Sequence, residues 1–139
     1  GVVGRRSGQV RMRVLRHADS VALRSLVEAA TAPTSTVNTD EWRGYWWLNR
    51  TAHPHPTVNH SPGQREWARD DDGDGVREVH VNTLEGLWTG LRNFLRPFRG
   101  LSKHYLSQYL AVFEWAHNRK RVTADLIRMM LRRFTAQPT

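Results

Sequence analysis

Thr36-Val37-Asn38-Thr39-Asp40-Glu41-Trp42-Arg43-Gly44-Tyr45 is the stretch on which the fold turns. The run 36–40 is β-favouring and delivers an Asp at its last position, and Trp42 to Leu48 follows as a turn into a short aromatic helix. Asp40 therefore stands at the C-terminal end of a strand, the edge at which open α/β sheets bind ligands. Taken alone it reads as a turn residue, because Asp closes turns on nearby backbone N–H groups.

Upstream, Gly1 to Arg6 and Gln9 to Arg16 flank Ser7-Gly8. This predicts a β-hairpin over 1–16 whose second arm alternates Val10, Met12 and Val14 against Arg11 and Arg13, one face buried and the other basic. Asp19 reads as the N-cap of a helix over 19–30. Ala22, Leu23, Leu26, Val27 and Ala30 share its apolar side, and Ala32-Pro33 ends it. A strand and helix order is thus in place before Asp40 is reached.

Downstream, His55 to His60 reads as a further short strand, 62–75 as a polar loop, and Val76 to Val81 alternates into the next element. A helix over 82–96 follows, with Leu84, Leu87, Trp88, Leu91 and Leu95 as its apolar stripe. At about 100° per residue, Glu85, Thr89, Arg92 and Arg96 fall together on a neighbouring polar stripe. Asn82 with Glu85 three residues on is also the pattern of a capped helix start. Ser102 caps a helix over 102–118 with Leu106, Tyr109, Leu110, Phe113 and Ala116 turned to the core, and Thr123 begins a basic amphipathic helix over 123–134. The order of elements is that of an α/β domain.

A chain of 139 residues is long enough for one core and too short for two ordinary domains. It has no cysteine, which excludes disulfide scaffolds, thiolate zinc ribbons and cysteine nucleophiles. Its apolar runs are short, and Gly1-Val2-Val3-Gly4-Arg5-Arg6 lacks the apolar core of a secretory signal. The reading is of a soluble, intracellular protein with no membrane partner.

Twenty-one basic against thirteen acidic residues give a net charge of +8, the footprint of a protein that meets phosphates. The distribution says more: residues 1–39 carry +4, 40–85 carry −4 and 86–139 carry +8. An acidic middle between basic flanks suits an enzyme whose carboxylates hold divalent cations while Arg and Lys hold a nucleic-acid backbone. A solvated acidic loop gives the same arithmetic.

Two other patterns are set aside. Asp70, Asp72, Asp74 and Gly75 fit the start of a calcium-binding EF-hand loop, but Val81 stands where the bidentate Glu belongs. His53, His55 and His60 have neither cysteines nor a helical i, i+4 pair to make a zinc site, and read as loop histidines. The six Trp could stack on bases, although packing explains most of them.

Thr39-Asp40-Glu41 with Gly44-Tyr45, then His80-Val81-Asn82-Thr83-Leu84-Glu85-Gly86-Leu87-Trp88, then Lys103-His104-Tyr105-Leu106, Tyr109-Leu110 and Asn118-Arg119 occur in one order and spacing. Together these blocks resemble the insertion-sequence DDE transposases of the ISXO-two type. The resemblance implies an RNase H-like (retroviral-integrase-like) mixed sheet flanked by helices, and a single partial catalytic domain over 1–139. It implies carboxylates that hold Mg²⁺ (or Mn²⁺) for DNA cleavage and strand transfer, with Asp40 and Glu85 as metal ligands and Arg92 as the basic residue seven positions after the Glu. Arg96, Lys103, Arg119, Lys120 and Arg121 join Arg92 as DNA contacts. The implied partners are transposon ends and target DNA, with a homo-oligomer assembling on them, in the cytoplasm of a bacterium at the nucleoid.

The family's first catalytic Asp stands on a strand that precedes the hairpin. The sole Asp before Asp40 is Asp19, ahead of a helix rather than on a strand. The expectation is a first central strand missing and no transposition from this chain alone. The alternative is a non-catalytic basic DNA-binding remnant of a transposase.

Overall fold

The computed structural model describes residues 1–119 and 127–128. The N-terminal hairpin closes on strands β1 (Val2–Val3) and β2 (Val10–Arg11), antiparallel, with Val3 opposite Val10 and Val2 opposite Arg11. Gly4 donates its amide to the Gln9 carbonyl at 2.8 Å, and Gly8, at a φ of +62°, makes the left-handed bend that an L side chain would strain. The expected alternation is there at its start, with Val10 fully buried and Arg11 and Arg13 exposed, but Val14 is 43% exposed.

Helix α1 (Ser20–Ala30) begins where Asp19 accepts the Ala22 amide at 2.8 Å, and it buries Leu26 and Val27. The strand expected over 36–40 narrows to β3 (Thr39–Asp40), which pairs in parallel with β4 (Thr57–Val58), Asp40 opposite Val58. Hydrogen bonds from Val37 to the Pro54 carbonyl (2.9 Å) and from Thr39 to the Pro56 carbonyl (3.4 Å) extend the pairing backwards. Two prolines on that partner have no N–H to return, so the ladder runs one way and the strands stay short. Between β3 and β4 lies a 3₁₀ helix, Arg43–Arg50, which buries Leu48 completely.

Strand β5 (Ala68–Arg69) pairs antiparallel with β6 (Val79–His80). This corrects the reading of 62–75 as a loop throughout. A charged residue is what makes the strand: the Arg69 guanidinium donates to the Thr57 carbonyl at 2.9 Å and also pairs with Glu66 and Asp71, tying β5 to β4. Periodicity of apolar residues carries no trace of such a bond. From the hairpin, the Arg5 guanidinium donates to the carbonyls of Glu78 and His80 on either side of Val79.

Helix α2 (Asn82–Leu95) follows β6 directly and buries Leu87 and Leu91. Ser102 accepts the His104 amide at 3.4 Å and opens a 3₁₀ turn, Lys103–Tyr105, before helix α3 (Leu106–Asn118), so the helix expected over 102–118 comes in two pieces. Phe94, Phe98, Tyr109 and Phe113 join α2 to α3 through ring contacts of 4.7 to 5.6 Å. Ala116, expected in the core, is exposed on α3, whose one buried residue is Leu110. The expected helix over 123–134 lies outside the described residues except at Ile127 and Arg128, both helical. The result is a mixed α/β structure of small two-stranded sheets and helices, and no helix among the described residues is long and apolar enough to cross a membrane.

Asn118 closes the structure. Its Oδ1 accepts the Val10 amide at 2.7 Å and its Nδ2 donates to the Val10 carbonyl at 2.9 Å, so a side-chain amide pairs with β2 as a neighbouring strand would. Four residues earlier, Glu114 accepts the Met12 amide at 2.7 Å and the Arg11 guanidinium at 2.8 Å. Asn118→Ala strips two hydrogen bonds from a fully buried residue's backbone. The expected cost is about 3 kcal/mol, read as a lower midpoint of urea unfolding; Gln9→Ala, at an exposed site, leaves the midpoint nearly unchanged.

Candidate active site

Asp40 is half-buried at the end of β3. One carboxylate oxygen accepts the Trp42 amide at 3.2 Å, which turns the chain into the 3₁₀ helix; the other makes no hydrogen bond among the described residues. Its backbone is held from behind. The buried Thr39 hydroxyl lies 2.7 Å from the Asp40 carbonyl and 2.8 Å from His55 Nε2, and His55 Nδ1 reaches Asn49 at 2.8 Å. Burial, and then the Asp40 charge, push the Tyr45 phenol above its ordinary pKa.

Asp40 opens onto a cleft lined also by Glu41, Trp42, Arg43 and His60. Glu41 accepts the His60 backbone amide at 3.1 Å, and its pKa is lowered by its own backbone N–H and then by that of His60. The ring of His60 packs on Trp67 with centroids 4.8 Å apart, and its Nε2 is buried without a partner. Glu41 and His60 were not singled out as cleft residues by the sequence; the signal was that both flank a strand end.

Glu85 lies in the first turn of α2. The helix starts at Asn82, with Val81 at the cap position and no side chain capping it, while the amides of Leu84 and Glu85 both donate to the Val81 carbonyl. The capped-start pattern of Asn82 and Glu85 is therefore not formed: Asn82 is already helical, and the exposed Glu85 carboxylate makes no hydrogen bond among the described residues. Thr89, Arg92 and Arg96 are exposed with it along one stripe, as the helical period requires.

β4 pairs with β3 and packs against β6, so Asp40 and Glu85 hang from one frame. Neither Asp40 nor Glu85 belongs to a compact group of three or more carboxylates and histidines among the described residues. Asp19, the sole earlier Asp, is spent as the α1 cap. Lys103 is exposed at the start of its 3₁₀ turn, and the Arg119 guanidinium lies 5.9 Å from the Trp115 ring centroid. Lys120 and Arg121 lie outside the described residues.

Carboxylates do converge elsewhere: Asp70, Asp72 and Glu78 each offer an oxygen within 4.8 Å of the others. Asp70 accepts the amides of Gly73 (2.6 Å) and Gly75 (2.8 Å), Asp72 that of Asp74 (3.2 Å), and Glu78 that of Asp71 (2.8 Å). These bonds close the tip of the β5–β6 hairpin, with Gly73 and Gly75 left-handed at φ of +79° and +88°. The Gly75 and then Gly73 amides hold the Asp70 carboxyl below its usual pKa. Glu78 was missed because it comes earlier than an EF-hand's last ligand; Asp74 caps Val76 instead of joining the group. Of the histidines, His53 Nδ1 lies 2.8 Å from the Ser35 carbonyl and His55 is bonded through both nitrogens.

Residues 1–118 match the ISXO2-like transposase domain. The chain belongs to that family. An uncharacterized transposase-like protein of Haemophilus influenzae is 24% identical over 113 residues, 81% of this chain and 84% of that protein. An uncharacterized protein in transposable element ISH50 of Halobacterium salinarum is 33% identical over 93 residues, 66% of this chain but 29% of its own length. No solved structure matches this transposase-family chain. Both Asp40 and Glu85 fall inside the matched segment.

Burial lowers the pKa of His55, and burial followed by the nearby Arg5 charge lowers that of His80. The folded state thus prefers both imidazoles neutral, while the unfolded chain takes up protons near pH 6.5. Stability from these groups is full above about pH 6.5 and is lost as the pH falls through the lowered folded values. Thermal melts from about pH 7.5 down to 5 are expected to show a falling Tm, and His55→Gln to flatten that slope. The lowered Asp70 carboxyl adds a second loss, at pH values below about 4.

Proposed function

We propose that this chain is the catalytic domain of an insertion-sequence DDE transposase with an RNase H-like fold, in which Asp40 and Glu85 hold a divalent metal for DNA cleavage and strand transfer. One observation carries the reading: within the family match, a strand-end Asp and a helix-first-turn Glu on the same β3–β4–β6 frame both keep carboxylate oxygens unspent by the fold. Hard oxygen donors of this kind suit Mg²⁺ or Mn²⁺, which take few protein ligands and retain waters. Such ions supply activation of a water or 3′-hydroxyl and charge for the leaving oxygen.

The chain's own residues do the rest. Trp42's amide holds one oxygen of the Asp40 carboxylate, which lines the cleft. Two turns beyond Glu85, Arg92 carries a guanidinium on the same exposed stripe, suited to bidentate contact with a phosphate. Arg96 continues that stripe, and Lys103 and Arg119 extend the positive charge over the C-terminal part of the domain. Transposon ends and target DNA are the partners, a homo-oligomer on paired DNA ends the working assembly, and the nucleoid in a bacterial cytoplasm the location.

Calorimetric titration with Mn²⁺ tests the ligands. Asp40→Ala and Glu85→Gln are each expected to weaken binding by roughly tenfold or more, with Asp72→Ala as the control for the acidic hairpin tip. Duplex DNA binding should fall steeply with salt, and Arg92→Ala should reduce the salt slope by about one charge. Metal binding indifferent to both carboxylate variants, with salt-sensitive DNA binding intact, would point instead to a non-catalytic DNA-binding remnant.

A further inference from the structure

Three of the chain's tryptophans are spread around the Asp40 cleft with their rings open to solvent: Trp42 is 44% exposed, Trp46 59% and Trp67 56%. Each is joined to the cleft by one contact. Trp42 lines it; Arg43, also in its wall, holds its guanidinium 5.3 Å from the Trp46 ring centroid; His60, a further lining residue, packs on Trp67. Large amphipathic rings are ordinarily gathered into a core, and three left open around one acidic cleft form a surface with a use.

Trp42 is also positioned. Its ring lies over Gly44, where an added Cβ would come within 1.8 Å of the indole, and it meets the edge of Tyr45 at 5.6 Å and 82°. The glycine of the Gly44-Tyr45 pair thus leaves room for the indole of a residue that lines the cleft with Asp40. Within the same surface, Arg43 supplies positive charge. Aromatic faces beside Arg, around an opening onto a carboxylate, are the arrangement that holds the bases of a single strand while its backbone is handled. A fully paired duplex hides its base faces and cannot use them.

We infer that Trp42, Trp46 and Trp67 form a stacking platform for unpaired bases of the DNA strand presented to Asp40, so that the strand is bound frayed or with bases turned out of the helix. The inference rests on the proposed transposase reading and adds to it the form of the substrate. Stacking on an aromatic residue is sequence-tolerant, so the platform selects unpaired DNA over paired DNA rather than one base over another.

Fluorescence anisotropy on the full chain, with one labelled oligonucleotide offered single-stranded and as a duplex at low salt, tests it. Trp67→Ala and Trp46→Ala, truncations at exposed positions, are each expected to weaken single-strand binding by roughly fivefold or more and duplex binding by less than about twofold. Trp42→Phe, which keeps a ring, should retain most single-strand binding, and Gly44→Ala, which displaces the indole, should lose it; circular dichroism confirms that each variant is folded. Equal losses on both DNA forms, or no loss on either, would overturn the platform while leaving DNA binding intact. A chain that binds neither form would remove the transposase reading and the platform with it. Tryptophan variants that alter self-association in sedimentation but not DNA binding would assign the surface to a second copy of the chain and overturn the proposal.

Discussion

A side-chain clamp from α3 ties the N-terminal hairpin to the far end of residues 1–119. Asn118, at the last turn of α3, offers its carbonyl and its NH₂ to the N–H and C=O of Val10, 108 residues away. The hairpin strands are two residues long and could not hold their place by mutual pairing alone. With Asn118 and Glu114 as a substitute edge, β2 is docked on α3, and Val10 becomes fully buried. Everything inward of that contact inherits its register: β1 through β2, then β6 through the Arg5 guanidinium, then α2.

The candidate site depends on this frame in two different ways. Asp40 is placed by backbone, through the short parallel pairing with β4 and the Thr39 hydroxyl behind it. Glu85 is placed by helix geometry, in the first turn of α2, and its carboxylate makes no hydrogen bond among the described residues. One carboxylate is thus tied to the fold through the Trp42 amide, and the other is carried on an exposed helix turn. The aromatic sequence that follows Asp40 serves the core and the surface at once: Leu48 disappears into the interior while Trp42 and Trp46 remain outside.

Where apolar spacing governed the element, the sequence was legible. α1 starts at the Asp19 cap, and α2 shows its buried Leu87 and Leu91 and its exposed Glu85, Arg92 and Arg96 where the helical period places them. Where polar side chains did the organising, it was not. β5 rests on Arg69, the hairpin tip on Asp70 and Glu78, and the Val10 clamp on Asn118, and none of these leaves a periodic signature. The start of α2 misled for a related reason: Asn82 and Glu85 have the composition of a cap, but the preceding strand brings Val81 to the cap position. Asp40 and Glu85 could be picked out through the family blocks; that His60 would share Asp40's cleft required the parallel pairing of β3 with β4.

Arg5 has a consequence for how this fold can vary. By grasping the carbonyls of Glu78 and His80 from the hairpin, it fixes the root of β6 from outside the excursion between β5 and β6. That excursion returns to a point already anchored by a distant part of the chain, so its length is uncoupled from the position of α2. Insertions and deletions there are accommodated as added or removed loop, at the slowly growing cost of closing it, while Glu85 stays where it was. The segment between β5 and β6 is, in effect, a graft site that can be lengthened, shortened or recharged without rebuilding the strands beneath.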